Sequence, residues 1–385
     1  MTSEPSREPG RDASTDAPNR PLRVLQVGPH QSNATSRGGI ATVMSLIMRH
    51  PGVGVVQEHA VTYDDGSVPH RARLFSTGIC RVAQRSFRHR VDVVHVHMSF
   101  KGSVVRKGLA LRVARAAGVP TVLHAHSHGF TRWYSGLPRY QQVAVRTLLR
   151  PDRWIVLGAR WAGEYPKHLG IDPARVSVLH NPTVAKPDPQ GTTWGWPASE
   201  TGERPVRFAF LGRLGERKGC YDLVEALALL TPEVRSRIHI VMAGDGDVDG
   251  VRRAAEAVGL KDVVEFPGWI DQNTRAALLD TADVLLLPSH QEGLPMAVLE
   301  GMAAGLAVLT TPVGGIPDVL DDDVNALLVP PGQPPLLADA LARLATDPEL
   351  RRRLGEAALA TSVEYDVSKW YVRLEQIWRE VAAGR

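Results

Sequence analysis

Two carboxylates and two cations, carried on loops in the second half of the chain, have the types and spacing needed to handle an activated anionic molecule. Glu292 and Glu300 have seven residues between them in SHQEGLPMAVLEGMAAG. Glu292 falls in a loop, Gly293 lets backbone approach a ligand, Pro295 opens a helix and Gly305 ends it. Glu300 then lies inside that helix, so the two acids reach two parts of one bound molecule. The unpaired N–H groups at the helix start add a place for phosphate. Arg213 and Lys218 lie in GRLGERKG beside Gly212, Gly215 and Gly219. There the two cations can neutralise a diphosphate without a metal. Gly38 and Gly39 in SRGGIATVM open another helix, whose amides face the same cleft from the other half of the chain.

Histidines form a second group. PTVLHAHSHGF holds His124, His126 and His128 at alternate positions, which on a strand share one face and make a metal site conceivable. VVHVHMS repeats the pattern with His95 and His97, and His97 is read as facing the cleft. Lys101, Arg106 and Lys107 follow that strand, where phosphate on an incoming acceptor would explain them. FTRWYSGLPRY sets Phe130, Trp133, Tyr134 and Tyr140 among arginines, a mix that suits a membrane interface or a sugar platform, or else a packed loop. The Asp-x-Asp pairs at 245–247 and 321–323 read as a glycine-rich loop and a surface turn rather than a cation site, because a hard cation needs several convergent oxygens. No G-x-G-x-x-G follows a strand, so nicotinamide chemistry is not indicated.

These loops need strands to hold them. LRVLQVG, VDVVHVH, PTVLHAH, RWIVLG and RVSVLHN are short apolar runs separated by helix-length spacers, and VRFAFLG, IHIVMAG, VVEFPGW, ADVLLLPS and LAVLTTP restart the pattern. Such alternation predicts βαβ units and parallel sheets, here in two doubly wound α/β halves. The 385 residues also exceed what one core usually supports. Residues 1–20 lack large apolar side chains and read as a disordered tail. Residues 21–185 form the first domain, 186–204 a linker rich in turn formers, and 205–362 the second domain. Residues 363–385 form an amphipathic helix, with Trp370, Leu374, Ile377 and Val381 on one face, that packs back across the first domain.

Charge is divided between the halves: 22 basic against 7 acidic side chains over 21–185, and 18 against 27 over 205–385. A basic first half suits an anionic surface, and with no aromatic-basic reading motif nucleic acid is not indicated. No apolar run reaches membrane-span length and the start lacks a signal-peptide core, so a cytoplasmic chain is expected. Cys80 and Cys220 fit neither a disulfide framework nor a metal cluster.

Taken in order, EGLPMAVLEGMAAG, GRLGERKG, GGIATV and VGGIPDVL at 313–320 resemble the family-4 retaining glycosyltransferases, over nearly all of 22–385. The resemblance implies a GT-B fold, two facing Rossmann-like domains with an interdomain cleft. It implies that Glu300 holds the ribose hydroxyls and that Arg213 and Lys218 hold the diphosphate. Glu292 contacts the transferred sugar, Gly293 and Leu294 complete the cradle, and the base lies near Trp269. It points to one histidine at the end of the PTVLHAH strand touching the sugar, His126 first and His124 in reserve. His97, Lys101, Arg106 and Lys107 are the acceptor-side candidates.

The activity implied is transfer of a hexose-type sugar from a nucleotide sugar to a saccharide or lipid-linked saccharide. UDP-sugar is favoured by family frequency, GDP-mannose next, and no metal or other cofactor is expected. Retention is implied by the family alone. With no nucleophilic carboxylate evident, a front-face reaction in which the leaving phosphate helps deprotonate the acceptor is favoured. Peripheral contact with an anionic inner membrane face is expected from the basic half. The alternatives are a sugar-nucleotide epimerase of the same fold and a non-catalytic binding protein.

Overall fold

The computed structural model of the chain describes residues 20–31, 38–50, 52–184, 194–196 and 204–384. All but the last residue of the expected tail, and most of the expected linker, lie outside the described residues. Strands β1 (Leu22–Pro29), β2 (Val55–Tyr63), β3 (Val93–Met98), β4 (Thr121–Ala125), β5 (Arg153–Val156) and β6 (Val176–Val178) form one sheet in the order β2-β1-β3-β4-β5-β6. Strands β7 (Val206–Leu211), β8 (Ile238–Ala243), β9 (Val264–Gly268), β10 (Val284–Leu287), β11 (Ala307–Thr310) and β12 (Leu327–Leu328) form the other, in the order β12-β11-β10-β7-β8-β9. Pairing within both sheets is parallel.

The inner strands are apolar because helices cover both faces of a parallel sheet. β3, β4, β8, β10 and β11 are buried at every residue. All strands of a sheet end on the same side, and in such folds ligands bind outside the carboxyl ends of the strands. Both sheets present those ends to a common cleft.

The C-terminal helix Val367–Ala383 buries Trp370, Tyr371, Leu374, Ile377 and Trp378. They pack with Val24, Val93, Val122 and Ile155 from the first sheet, and with Met296 from the second half. Polar contacts also join the halves. Asn181 Nδ2 donates to the Leu294 carbonyl at 2.7 Å, and the Ala159 N–H donates to Asp318 Oδ2 at 2.7 Å.

Candidate active site

Between the sheets lies a cleft of about 980 Å³, lined from the first half by Gly38, Gly39, Ser99, Phe100, His126, Ser127 and His128. From the second half come Gly212, Arg213, Arg217, Lys218, Asp245, Trp269, Arg275, Glu292, Gly293 and Leu294.

The second-half wall is built by two loops tied together. After β7 the chain turns through Gly212–Gly219, with a 3-10 turn at Glu216–Lys218. At Gly219 φ is +67°, and a Cβ would lie 1.9 Å from the Pro288 carbonyl oxygen, so a side chain is excluded where this loop meets the one after β10. The His290 N–H donates to the Arg217 carbonyl at 2.9 Å, and Arg217 Nη1 donates to the Gln291 carbonyl at 2.9 Å. This join sets Lys218 Nζ 2.6 Å from Glu292 Oε1, with both side chains buried. Ser289 Oγ donates to the same oxygen at 2.7 Å, and Arg217 Nη1 lies 3.6 Å from it. Glu292 is therefore an anion fixed by three partners. Arg213 is largely solvent-facing, its Nη1 3.7 Å from Asp245 Oδ2, and it can swing toward a ligand.

Behind Glu292, Pro295 caps the helix Met296–Ala303, which carries Glu300, and Gly305 takes a positive φ of +75° just past its end. Glu300 does not line the cleft. Its Oε1 accepts from Arg275 Nη2 at 2.7 Å, and its Oε2 is buried without a partner among the described residues. Burial raises the carboxyl above its ordinary range, opposed by the Arg275 charge. Arg275, on the helix Gln272–Thr281, is thus interposed between Glu300 and the cleft. Trp269 follows β9 at the cleft edge.

The first-half wall departs from the sequence reading in three ways. β4 ends at Ala125, so His126 lies just past the strand and His128 in a turn, and the three histidines do not share one strand face. His97 does not line the cleft: it is buried behind His126, its Nδ1 3.0 Å from His126 Nε2. Lys101, Arg106 and Lys107 do not line it either. Lys107 Nζ is buried against Thr62 Oγ1, and burial pushes its pKa down to about 7, with Arg106 adding to the effect. Arg106 stacks on the Tyr63 ring at 4.8 Å, and Lys101 lies over Phe100 at 5.4 Å. The helix Gly102–Ala116 turns Arg106 and Lys107 back toward Tyr63 and Thr62 of β2, which alternation along a strand cannot reveal. Phe130 and Tyr134 belong to the core, while Tyr140 is exposed, so FTRWYSGLPRY is mainly a packed segment.

His95, His97 and His124 bring ring nitrogens within 4.8 Å of one another, the distance range of a metal cluster. Burial keeps these rings neutral, His95 at a pKa of about 3. Trp378 Nε1 donates to His95 Nδ1 at 3.3 Å, which places the hydrogen of His95 on Nε2 and removes the lone pair a cation would need there. The donor set therefore fits a metal poorly. Both nitrogens of His124 are buried without a partner among the described residues. Cys220 is buried with the Gly215 N–H on its sulfur, and burial pushes the thiol up to about 11.

Arg275, Ser289 and Asn181 enter the site without being singled out in the sequence, and Asp245 enters it as a partner of Arg213 although its Asp-x-Asp pair does not read as a cation site. Arg217 had a signal, since it lies inside GRLGERKG beside the chosen cations.

Two parallel-sheet domains that meet at their carboxyl ends, with a cationic and acidic wall on the second, define a GT-B glycosyltransferase. The family model "Glycosyltransferase Family 4" matches residues 43–184 and "Glycosyl transferases group 1" matches 197–361, so together they span most of the chain. A D-inositol 3-phosphate glycosyltransferase of Streptomyces griseus is 28% identical over 357 residues, covering 84% of this chain and 74% of its own. A putative colanic acid biosynthesis glycosyltransferase, WcaL of Escherichia coli, is 31% identical over 282 residues, 70% of this chain and 64% of its own. The crystal structure of Anabaena Alr3699/HepE in complex with UDP and glucose superposes with a TM-score of 0.71 at 18% identity, covering 93% of this chain and all of that one. The chain belongs to the family-4 glycosyltransferases and has the GT-B fold.

Proposed function

We propose that the protein transfers a hexose-type sugar from a nucleoside diphosphate sugar, a UDP-sugar first and GDP-mannose next, to a saccharide or lipid-linked saccharide, with retention and without a metal. The observation that carries this reading is the buried Lys218–Glu292 contact at 2.6 Å in the cleft wall, beside Arg213 and the start of the helix Met296–Ala303. Lys218 and Arg213 oppose the charge that grows on the diphosphate as the bond from the anomeric carbon to the phosphate oxygen breaks. A HepE structure holds UDP and glucose, which supports a donor of this kind here.

Glu292 is engaged by Lys218 and Ser289, which suits a fixed sugar-binding anion better than a nucleophile. The front-face route then needs no protein carboxylate at the anomeric carbon. The acceptor oxygen forms its bond to that carbon on the face the phosphate leaves, and its proton passes to a phosphate oxygen of the departing diphosphate. Retention rests on the family likeness.

Peripheral membrane contact at the inner face, in a cytoplasmic protein, is part of the same proposal. The helix Arg139–Leu148 exposes Tyr140 and Val143 beside Arg139 and Arg146, an apolar and basic surface suited to anionic headgroups. No helix among the described residues is long and apolar enough to cross a membrane. Sedimentation with anionic vesicles at low salt tests this part, and its absence would remove it.

The test of the activity is release of UDP or GDP from UDP-glucose and GDP-mannose in the presence of a chelator, with and without saccharide acceptors, followed by NMR of the product anomer. Acceptor-dependent release with a retained anomer is expected. Turnover of donor alone to an isomer would indicate an epimerase instead.

A further inference from the structure

We propose that Gln57, Gln26 and His97 form a hydrogen-bond chain of fixed polarity that locks His126 in one tautomer and leaves its Nδ1 bare on the cleft side. The group of the bound sugar that meets this nitrogen must then be a hydrogen-bond donor, a hydroxyl or amine, and not a carboxylate. The sugar consequence rests on the donor reading above; the tautomer does not.

The chain crosses the first sheet in strand order: Gln57 on β2, Gln26 on β1, His97 on β3, and His126 just past β4. Its polarity is set at the far end. Gln57 Nε2 donates to the Ile47 backbone carbonyl at 2.9 Å, and a carbonyl can only accept, so the orientation of this amide is unambiguous. The same nitrogen meets the Tyr371 hydroxyl of the C-terminal helix at 2.9 Å. Gln57 Oε1 therefore accepts from Gln26 Nε2 at 2.9 Å, which leaves Gln26 Oε1 facing His97 Nε2 at 3.0 Å. An amide oxygen has no hydrogen to give, so His97 carries its hydrogen on Nε2.

His97 is fully enclosed and burial holds it neutral, so its Nδ1 is bare and accepts from His126 Nε2 at 3.0 Å. His126 is likewise neutral, and its single hydrogen is spent on His97. The remaining nitrogen, Nδ1, has no partner among the described residues, and the residue lines the cleft. Gln57, Gln26 and His97 are positioning residues: they touch no substrate and act through His126. A carboxylate set against bare Nδ1 would be an anion facing a lone pair in a poorly hydrated wall, which is unfavourable.

Long-range proton–nitrogen NMR of the full chain labelled with 15N-histidine reads the tautomer directly, with His126→Asn assigning the signal. The wild type is expected to show His126 as the Nε2–H form, unchanged between about pH 8 and about pH 5.5, where an ordinary histidine titrates. Gln26→Leu removes the polarity and is expected to populate the Nδ1–H form at His126. It should also lower kcat/KM with UDP-glucose about tenfold to a hundredfold, and narrow the preference for UDP-glucose over UDP-glucuronate. His97→Gln keeps a donor toward Gln26 and an acceptor toward His126, so it should retain the wild-type signature and most of the rate. A wild-type His126 found as Nδ1–H, or as an exchanging mixture, while UDP-glucose still turns over would overturn the proposal and leave the donor reading standing. The expected tautomer in a protein that binds neither a UDP-sugar nor GDP-mannose would sink the donor reading instead.

Discussion

Lys218 Nζ and Glu292 Oε1 lie 2.6 Å apart, although 74 residues separate them in sequence. The ammonium has three hydrogens, and a diphosphate arriving beside it can share the charge that Glu292 now takes. Such a pair holds both groups ready while neither is left as an isolated buried ion.

Lys218→Ala should depress kcat by about a hundredfold to a thousandfold, the size found when one preorganised donor to a developing oxyanion is removed. Arg213→Ala acts on the same phosphates from a more exposed position and should cost less, about tenfold. Steady-state kinetics with UDP-glucose check both. Unchanged turnover in the two variants removes the diphosphate role from this wall.

If Glu300 meets the ribose hydroxyls, as the family likeness implies, Arg275 must swing aside on binding, and Glu300→Ala should then weaken nucleotide binding about tenfold to a hundredfold with a smaller effect on kcat. Arg275 now occupies that carboxylate at 2.7 Å. Arg275→Ala is therefore expected to leave Glu300 buried without its counter-charge and to destabilise the fold. Calorimetry with UDP and urea denaturation separate the two effects.

Stability should fall as pH drops from 7 to 5. His95 and His126 both have their pKa pushed to about 3 by burial, below the unfolded value near 6.5. The unfolded chain takes up protons through pH 6.5 while the folded chain does not, so the stabilising difference is present above that pH and is lost below it. Each ring accounts for roughly 2 kcal/mol at pH 5. Urea midpoints at the two pH values check this, and a flat profile would mean that the rings are hydrated or charged in the fold.

Gly314→Ala should destabilise by about 2 kcal/mol or more. Its φ is +67°, and a Cβ would lie 2.1 Å from the Glu292 carbonyl oxygen. The neighbouring Gly315 N–H donates to the Gly293 carbonyl at 2.7 Å, so the turn is the backing of the Glu292 loop. A drop in thermal midpoint together with lost UDP binding is expected, and a variant equal to wild type in both would dissociate this turn from the site.

Local chemistry made much of this legible in the sequence. The strand-and-spacer rhythm places both sheets, and the Pro295–Gly305 punctuation marks a helix that is present at Met296–Ala303 with Glu300 inside it. The glycines before Lys218 mark a turn for the same reason, a backbone that must come close. What stayed hidden depends on contacts between distant segments. That Arg275 covers Glu300, that Arg217 joins the two loops, and that Lys107 is buried under β2 are consequences of helix packing and strand order. His97 shows the limit most clearly. Alternation puts it on the correct face of β3, yet whether that face reaches the cleft depends on His126 standing in front of it.

On the proposed function, Lys218 and Arg213 of one loop, Glu292 of the next and Glu300 of the helix that follows it serve one nucleoside diphosphate. Isothermal calorimetry of the full chain with UDP, GDP and ADP, repeated on Lys218→Ala and Glu300→Ala, tests it directly. The expected result is saturable one-to-one binding of UDP, ahead of GDP and ADP, weakened in both variants. Absence of heat with all three nucleotides, or binding that neither substitution alters, would contradict it.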